Sequence, residues 1–297
     1  MSQKTLTEGT YTALVTPFDE QFQIDEKAWF TLLDHQVAGK VDGVVICGTT
    51  GESPSINAAE FDFLIRSARN HLGSSFKIWA GTGTNVTEST IKRSKRAAEL
   101  GADGLLLVTP YYNKPTQQGL QNHFTEVADS VDLPVMLYNV PGRTSTLIQP
   151  ETTEALSKHP NIIASKEATG NINQIMEVIS RVPDEFAVIS GDDAMTLPII
   201  AAGGKGVVSV IANLVPGLMR ELVENAKSED LEAARKVHNK LWPLMKASFF
   251  ESNPIPIKAT LEMAGLIQPY LRPPMYPLSD SYKPELKQIL DDLNITD

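Results

Sequence analysis

The chain has 297 residues, of which 42% are hydrophobic and 21% charged, so it can bury a large core. Acidic residues outnumber basic residues by 36 to 26, and the formal charge of −10 argues against binding to nucleic acid or an anionic membrane. Cys47 is the sole cysteine, which excludes an intrachain disulfide and predicts a reducing, cytoplasmic location. The N-terminal residues lack the apolar core of a signal peptide, and no apolar run approaches the roughly 20 residues that span a bilayer.

Eight short, β-rich apolar runs recur along the chain, and segments with helical patterns separate them. Each run is continuously apolar, as is typical of parallel strands that are covered on both faces. Intervals of about 20 to 35 residues leave room for a strand, a helix and two loops. This alternation predicts a (β/α)8 barrel rather than an open doubly wound sheet. The runs occupy residues 10–18, 42–51, 76–83, 102–112, 132–142, 161–170, 185–193 and 205–213.

The segments between the runs also show where helices begin and end. The first helix should stop at Gly39, and a later one should have Thr87 as its N-cap and stop at Gly101. After the eighth run the pattern is again helical, without a linker-like stretch. We therefore predict a barrel over residues 1–216 and a helical extension over 217–297 that packs on it.

Barrel enzymes carry their active sites at the carboxyl ends of the strands, so the residues that end each run are the candidates. They include several hydroxyl groups and a single amine. The candidates are Thr49 and Thr50 after the second run, Tyr111 and Tyr112 after the fourth, Tyr138 and Asn139 in the fifth, Lys166 in the sixth, and Gly191, Asp192 and Asp193 in the seventh.

Lys166 ends the apolar run "IIASK". Desolvation at the mouth of a barrel disfavours an ammonium ion, and a neutral amine is the nucleophile that forms a Schiff base with a carbonyl substrate. Tyr138 could relay the protons that this chemistry moves, connected to others through Thr49 and Tyr112. The alternative is a structural lysine that reaches a nearby carboxylate such as that of Glu167, together with a tyrosine whose hydroxyl binds backbone.

Two further segments are candidates for binding carboxylates. "GTTGE" (48–52) offers backbone N–H groups and two hydroxyls, and Arg143 in "PGRT" could bind a second carboxylate unless it is simply solvated. Cofactor motifs are incomplete, because "GTGTNV" and "GGKG" lack required residues of the dinucleotide and P-loop patterns and the histidines are scattered. Asp192 and Asp193 should point in opposite directions, so we expect one to cap a helix rather than both to bind a metal.

With these motifs in this order, the chain resembles the dihydrodipicolinate synthase family of pyruvate-dependent class I aldolases, a superfamily that also contains N-acetylneuraminate lyase. The resemblance runs nearly from end to end. The segments that carry it are "TALVTPF", "GTTGES", "AGTGTN", "VTPYYNKP", "YNVPGRT", "IIASKEATGN", "SGDD", "GGKGVVSV" and "NPIPIK".

The resemblance implies a lyase that condenses pyruvate with L-aspartate-4-semialdehyde to give 4-hydroxy-tetrahydrodipicolinate in lysine biosynthesis, with no metal or organic cofactor. It implies that Lys166 forms the pyruvate Schiff base and that Tyr138, Thr49 and Tyr112 relay protons. Tyr112 would come from the neighbouring subunit of a homotetramer built from tight dimers. The substrate-binding residues that the resemblance implies are Thr50, Gly51, Arg143, Gly191 and Val208.

Arg143 favours the synthase branch, because the sialic acid and sugar-acid lyases that the chain also resembles usually lack this arginine. The runner-up is a 2-keto-3-deoxy-sugar-acid or N-acetylneuraminate-type aldolase that uses the same lysine. A non-catalytic sensor of pyruvate or an amino acid on the same barrel is disfavoured, because all four implied catalytic residues are present.

The resemblance also bears on feedback inhibition, because some bacterial members bind lysine at the tight-dimer interface. In this chain Ala58 and Phe61 replace histidines of some regulated members. Ser89 replaces an acidic residue that holds the lysine amine, and Glu88 lies one position away, about 100° around a helix. We therefore expect weak or absent inhibition by lysine. The residues that do match this possible allosteric site are Ser53, Asn85 and Tyr111.

Overall fold

A closed barrel of eight parallel strands forms the centre of the computed structural model, which describes residues 7–295. The strands follow chain order around the barrel, and the eighth pairs with the first. This confirms the (β/α)8 barrel expected from the alternating pattern. The strands are β1 (Gly9–Ala13), β2 (Gly43–Ile46), β3 (Lys77–Gly81), β4 (Gly104–Val108), β5 (Val135–Asn139), β6 (Ile162–Glu167), β7 (Ala187–Ser190) and β8 (Gly206–Ser209).

Helices surround the barrel and continue beyond it. None of the helices within residues 7–295 is long and apolar enough to cross a membrane. The helices are α1 (Glu26–Ala38), α2 (Ala58–Leu72), α3 (Thr87–Glu99), α4 (Gln117–Asp129), α5 (Pro141–Thr144), α6 (Pro150–Leu156), α7 (Ile172–Arg181), α8 (Thr196–Ala201), α9 (Pro216–Lys227), α10 (Leu231–Ala247), α11 (Ile255–Met263) and α12 (Lys283–Asp292).

The helices after β8 connect the barrel to the end of the chain. Helix α9 packs against β1 and β8, and α10 packs against α9 and α12. The segment before α11 reaches back to the carboxyl ends of the strands, where it contacts the turn after β2. The division into domains at residue 216 stays a prediction.

The helix ends test two of the sequence interpretations. Gly39 directly follows α1, as expected. Thr87 is not the N-cap of α3: the helix starts at Thr87 itself, and Val86 is the cap residue. The hydroxyl of Thr84 accepts from the backbone N–H of Val86 at 3.1 Å, while the Thr87 hydroxyl contacts His123 Nδ1 at 2.9 Å. The prediction was wrong because a threonine three residues earlier organises the loop.

Two apolar clusters explain why the strands are apolar on both faces. One cluster fills the barrel interior with alternate strand residues, including Tyr11, Trp79 and Met136. The other lies between the strands and the surrounding helices. Alternation along β6 places Ala164 in the inner cluster and the side chains of Ser165 and Glu167 on the opposite face. Lys166 therefore projects into the barrel mouth.

Asn213 closes the seam between the first and last strands of the barrel. Its side chain is fully buried, and its Oδ1 accepts from the Val15 backbone N–H at 3.0 Å. Its Nδ2 donates to the carbonyl oxygens of Ala13 at 2.7 Å and Val210 at 2.8 Å. One amide thus satisfies backbone groups on both sides of the seam.

Candidate active site

A cavity of about 260 Å³ opens at the carboxyl ends of β2 to β5. This is the face of the barrel on which active sites lie. The turn after β2 contributes Thr49, β5 contributes Tyr138, and the short helix α5 contributes Arg143. Ser53 and Tyr111, predicted as possible allosteric residues, line the same cavity. The fold thus brings five of the candidates from sequence to one place.

Lys166 and Tyr138 are direct partners in the register of β5 and β6. The Lys166 amine lies 4.1 Å from the centre of the Tyr138 ring, and the lysine is only 5% exposed. A cation at this distance interacts favourably with the face of an aromatic ring. The amine is therefore held in place at the barrel mouth beside a phenol.

Glu167 is not the partner of Lys166. Its Oε1 accepts from Ser165 Oγ at 2.5 Å and its Oε2 accepts from Asn139 Nδ2 at 3.1 Å, on the opposite face of the strand. Among residues 7–295, no carboxylate forms an ion pair with the Lys166 amine. The structural alternative, a lysine held by Glu167, is therefore wrong.

Glu167 instead belongs to a buried network behind the strand ends. Burial raises the pKa of Glu167 to about 7, although the hydrogen bonds from Ser165 and Asn139 oppose that rise. Asn139 Nδ2 also donates to the Ile148 carbonyl oxygen, and Asn139 Oδ1 accepts from the Ile148 N–H, each at 3.0 Å. The network ties β5 and β6 to the loop that follows Arg143. Sequence reasoning had left Glu167 without a role.

Gly191 lies directly against the aliphatic stem of Lys166. A Cβ atom at this position would be 2.9 Å from Lys166 Cε and 3.0 Å from its Cγ. Val208 is fully buried in the cluster inside the barrel. Among the described residues, the wall of the 260 Å³ cavity includes neither of them. Gly191 thus leaves space for the lysine side chain rather than contacting the open part of the cavity.

The turn of residues 48–52 after β2 is held from several directions. Cys47, which precedes the turn, and Glu52, its last residue, have φ values of 56° and 54° in the left-handed region. Thr16 Oγ1 donates to the Gly51 carbonyl oxygen at 2.8 Å. Thr50 is buried, and its Oγ1 accepts from Asn253 Nδ2 at 2.9 Å, which leaves the hydroxyl hydrogen for a ligand.

Asn253 is a site residue that sequence reasoning missed. It lies in "NPIPIK", just before α11 and about 200 residues from the turn that it contacts. Its backbone carbonyl accepts from Arg143 Nη2 at 3.1 Å, so this one residue connects Arg143 to Thr50. Its buried Oδ1 has no hydrogen-bond partner among residues 7–295. Position at a strand end, the signal used above, could not have found it.

Cys47 and Arg93 also line the cavity. Burial raises the pKa of the Cys47 thiol to about 12, which supports its interpretation as a small buried side chain rather than a nucleophile. Arg93 Nη2 donates to Ser53 Oγ at 3.3 Å, and the guanidinium carbon lies 4.5 Å from the centre of the Phe61 ring. Sequence reasoning had not singled out Arg93.

A second cavity of about 270 Å³ shares Arg93 with the first, and Phe61 also lines it. Ala58 and Ser89 line it, and among the described residues Glu88 does not. No carboxylate in the described part of the chain forms an ion pair with Arg93. Arg93 therefore places a positive charge in the same cavity wall as Ser89, the position at which the resemblance implies an acid in lysine-binding relatives.

Tyr112 and Asn85 lie outside the cavity in the single chain. Tyr112 is 89% exposed and adopts a φ of 73° in the left-handed region. The Asn85 carbonyl oxygen accepts from Asn113 Nδ2 at 2.8 Å, which joins the loops after β3 and β4. Among residues 7–295, the cavity wall contains neither Tyr112 nor Asn85.

Asp192 and Asp193 follow β7, begin a short 3-10 turn and have separate roles. Asp192 Oδ1 caps the next turn by accepting from the Ala194 N–H at 3.0 Å. Asp193 Oδ2 accepts from the N–H groups of Val210 and Ile211, each at 3.0 Å. The described residues contain no group of three or more His, Cys, Asp or Glu side chains arranged to hold a metal ion.

Comparison with known proteins decides the family. The sequence model of the "Dihydrodipicolinate synthetase family" matches residues 6–293. The chain belongs to this family. The 4-hydroxy-tetrahydrodipicolinate synthase of Leptospira biflexa is 46% identical over 92% of this chain and 92% of that protein. The resemblance carried by the motifs is thereby confirmed, and relatives of this kind favour the synthase over the sugar-acid or N-acetylneuraminate aldolase.

Two solved structures show the same fold at high similarity. A monomeric dihydrodipicolinate synthase variant matches with a TM-score of 0.96 and 40% identity, covering 98% of each chain. The synthase of Cyanidioschyzon merolae, solved with lysine bound, matches with a TM-score of 0.95 and 37% identity, covering 98% of this chain and 99% of that chain.

Proposed function

We propose that this chain is a 4-hydroxy-tetrahydrodipicolinate synthase, an aldolase-type lyase that condenses pyruvate with L-aspartate-4-semialdehyde in lysine biosynthesis. The family match over residues 6–293 supports this assignment. The observation that carries the chemistry is the Lys166 amine, which lies 4.1 Å from the Tyr138 ring in the barrel mouth. An amine that is not paired with an acid remains available to a carbonyl substrate.

In the first half-reaction, the Lys166 amine attacks the keto carbon of pyruvate. The resulting carbinolamine loses one water to give an iminium ion. Loss of a proton from the adjacent methyl carbon then gives a nucleophilic enamine. Tyr138 is the proton carrier, and Thr49 and Tyr112 connect it to further hydroxyl groups. Tyr138 and Thr49 line the same cavity, which supports this part of the relay.

In the second half-reaction, the enamine carbon attacks the aldehyde carbon of the semialdehyde. A carbon–carbon bond forms, and the aldehyde oxygen takes a proton to become a hydroxyl group. The amino group of the semialdehyde then attacks the iminium carbon and displaces the Lys166 amine, which closes the ring. The water lost during Schiff-base formation is the one water released overall, and Lys166 returns to its starting state.

The two substrate carboxylates need separate binding groups. Thr50 and the backbone at Gly51 bind the pyruvate carboxylate, for which the available Thr50 hydroxyl hydrogen is suited. Arg143 binds the carboxylate of the semialdehyde; within the described chain it forms no ion pair, and Asn253 orients it. Gly191 and Val208 complete the pocket around the lysine; no metal or organic cofactor takes part.

Borohydride trapping tests the central step. Reduction in the presence of pyruvate should add one pyruvate-derived group to Lys166, located by peptide mass spectrometry. Lys166→Ala should abolish both the adduct and the condensation, whereas Lys158→Ala, at an exposed helix-end lysine, should leave both intact. An adduct elsewhere, or full activity of Lys166→Ala, would refute the mechanism. Cleavage of 2-keto-3-deoxy sugar acids or N-acetylneuraminate in preference to the condensation would establish the runner-up.

We propose further that lysine inhibits this enzyme weakly or not at all. Ser53 and Tyr111 line the first cavity and are available for a lysine carboxylate, whereas Asn85 is not in its wall. Arg93 places a cation beside Phe61 and Ser89, where the ammonium of lysine would be repelled. The closely similar Cyanidioschyzon merolae synthase was solved with lysine bound, so the fold itself accommodates such a site.

A designed double variant makes the feedback proposal testable in both directions. The wild-type rate should stay within about twofold when millimolar lysine is added. Ser89→Glu combined with Arg93→Leu removes the cation and supplies an acid, and should introduce measurable inhibition by lysine. Strong inhibition of the wild type would show that the charge at Arg93 does not govern the site.

We also propose that the active enzyme is a homotetramer, a dimer of tight dimers. The smallest assembly that we expect to be active is the dimer. The 89% exposure of Tyr112 fits a residue that is completed by a neighbouring subunit. Because a similar synthase variant is monomeric, assembly has to be measured for this chain by sedimentation velocity. The cytoplasmic location stays a prediction.

A further inference from the structure

The turn that holds the pyruvate carboxylate ends on a residue whose conformation needs support. Glu52 has a φ of 54° and a ψ of 39°. This left-handed conformation is energetically unfavourable for any residue other than glycine. Its side chain is 4% exposed, so its carboxylate is buried as well. A buried carboxylate in a disfavoured backbone conformation persists only where the surroundings hold it.

Lys258 of α11 supplies that support from the far end of the chain. It is fully buried, and its Nζ lies 2.5 Å from Glu52 Oε1 and 2.9 Å from the Tyr270 carbonyl oxygen. The ammonium group also lies 4.3 Å from the centre of the Phe18 ring. The second oxygen of Glu52 accepts from the Arg272 backbone N–H at 3.1 Å. Both oxygens of the carboxylate are thus fixed by residues after β8.

A buried ion pair of this kind is weak evidence for stability, because the desolvation of two charges offsets most of their attraction. Its geometric effect is specific, however. Glu52 directly follows Gly51, and Thr50 receives its own hydrogen bond from Asn253 in the segment before α11. The same C-terminal segment therefore holds the turn at two positions.

We propose that Lys258 is a positioning residue for the pyruvate carboxylate. Acting through Glu52, it keeps the turn of residues 48–52 in the conformation that presents Thr50 and the Gly51 backbone to the substrate. This inference rests on the proposed role of Thr50 and Gly51 in binding pyruvate. The helical extension then contributes to substrate affinity and not only to the outer surface of the barrel.

Lys258→Met and Glu52→Gln test the proposal separately, since methionine keeps much of the lysine stem and glutamine keeps the glutamate shape. Each variant should raise the KM for pyruvate by about tenfold or more, while kcat at saturating pyruvate stays within about threefold. The KM for the semialdehyde should change little, because Arg143 is held by Asn253. Trapping of pyruvate on Lys166 should still occur, but at higher pyruvate concentrations.

A matched control separates positioning from loss of stability. Arg69→Met breaks the Arg69–Asp103 ion pair, which is half-buried and lies at the opposite end of the barrel. It should lower the melting temperature without changing the KM for pyruvate. The Lys258→Met/Glu52→Gln double variant should be no worse in pyruvate KM than either single variant, because both act through one contact.

Two results would overturn the inference while leaving the proposed function intact. One is an unchanged pyruvate KM in Lys258→Met and in Glu52→Gln. The other is an additive increase in the double variant, which would mean that the two residues act independently. If Lys258→Met does not fold, Glu52→Gln decides the matter by the same measurement. Failure of wild-type Lys166 to trap pyruvate would instead refute the proposed function.

Discussion

Lys166 lies beneath an aromatic ring and away from any acid of the described chain, which is an unusual environment for a buried amine. The alternation of β6 separates it from Glu167, so two charged neighbours in sequence reach different surroundings. Lys166 packs against the Tyr138 ring, and Glu167 supports the strand ends.

Glu167 should make stability depend on pH. The folded state holds its proton more tightly than the unfolded chain, with a pKa of about 7 against 4.5. Its contribution is therefore complete below pH 4.5 and is lost as the pH rises through about 7. Between pH 5 and pH 8, the free energy of unfolding of the wild type should fall by on the order of 2–3 kcal/mol relative to Glu167→Gln.

Urea unfolding of both proteins at several pH values measures this difference. Asp193, whose pKa burial raises to about 6, titrates in both proteins and cancels in the comparison. Parallel pH profiles for the two proteins would contradict the assignment of the titration to Glu167.

Gly191→Ala should displace the lysine side chain. The new Cβ would lie 2.9 Å from Lys166 Cε, so the flexible amine end has to shift. A displacement of this size at a nucleophile should lower kcat by about 10- to 100-fold, with a cost to stability of about 1–3 kcal/mol. Gly217→Ala, where nothing lies within 4 Å of the new Cβ, is the control for the same substitution. A normal kcat in Gly191→Ala would show that this glycine does not govern the lysine.

The segments that join the strands position the candidate site residues as much as the strands do. The turn of residues 48–52, helix α5 and the segment before α11 meet through Thr50, Arg143 and Asn253. Backbone pairing in the sheet positions the strands, whereas buried side-chain hydrogen bonds position these connecting segments. The same device closes the barrel at Asn213.

Asn213→Ala should destabilise the seam of the barrel. It leaves the buried Val15 N–H and the Ala13 carbonyl without their partners, so the free energy of unfolding should fall by about 2–4 kcal/mol. Asn122→Ala removes an amide from an exposed helix surface and should change the free energy of unfolding by less than about 0.5 kcal/mol. Urea denaturation compares the two; similar small losses would mean that the seam does not depend on this amide.

For the whole molecule, the exposed position of Tyr112 bears on whether a second chain completes the proposed active site. Lys166, Tyr138 and Thr49 come together within one barrel, whereas Tyr112 is exposed on the same chain. An active site completed across a symmetric interface requires each subunit to give and receive the same residue. Assembly and activity should then be inseparable.

Subunit mixing tests this arrangement. Lys166→Ala and Tyr112→Phe should each be nearly inactive alone. A hybrid dimer of the two has one site with both residues intact, so mixing and re-equilibration should restore up to about a quarter of wild-type activity. If Tyr112 acts within its own subunit, no hybrid site is complete and the mixture stays inactive. Tyr112→Phe with full activity would remove Tyr112 from the relay.

Sequence alone was enough to predict the barrel and the residues at its strand ends. It could do so because apolar strands recur at regular intervals and because parallel strands bring their carboxyl ends to one face. Lys166, Tyr138 and Thr49 could therefore be expected near one another from the sequence, and the motifs indicated the family.

What holds these residues in place became clear from the folded structure. Asn253 and Lys258 contact the turn after β2 from about 200 positions away, and Arg93 enters the cavity wall from a helix. Such contacts depend on how helices and loops pack, for which local sequence has no periodic signal. The surroundings of Glu167 also depend on the fold. Alternation along β6 turns its carboxylate to the face opposite Lys166, where it is buried and binds Ser165.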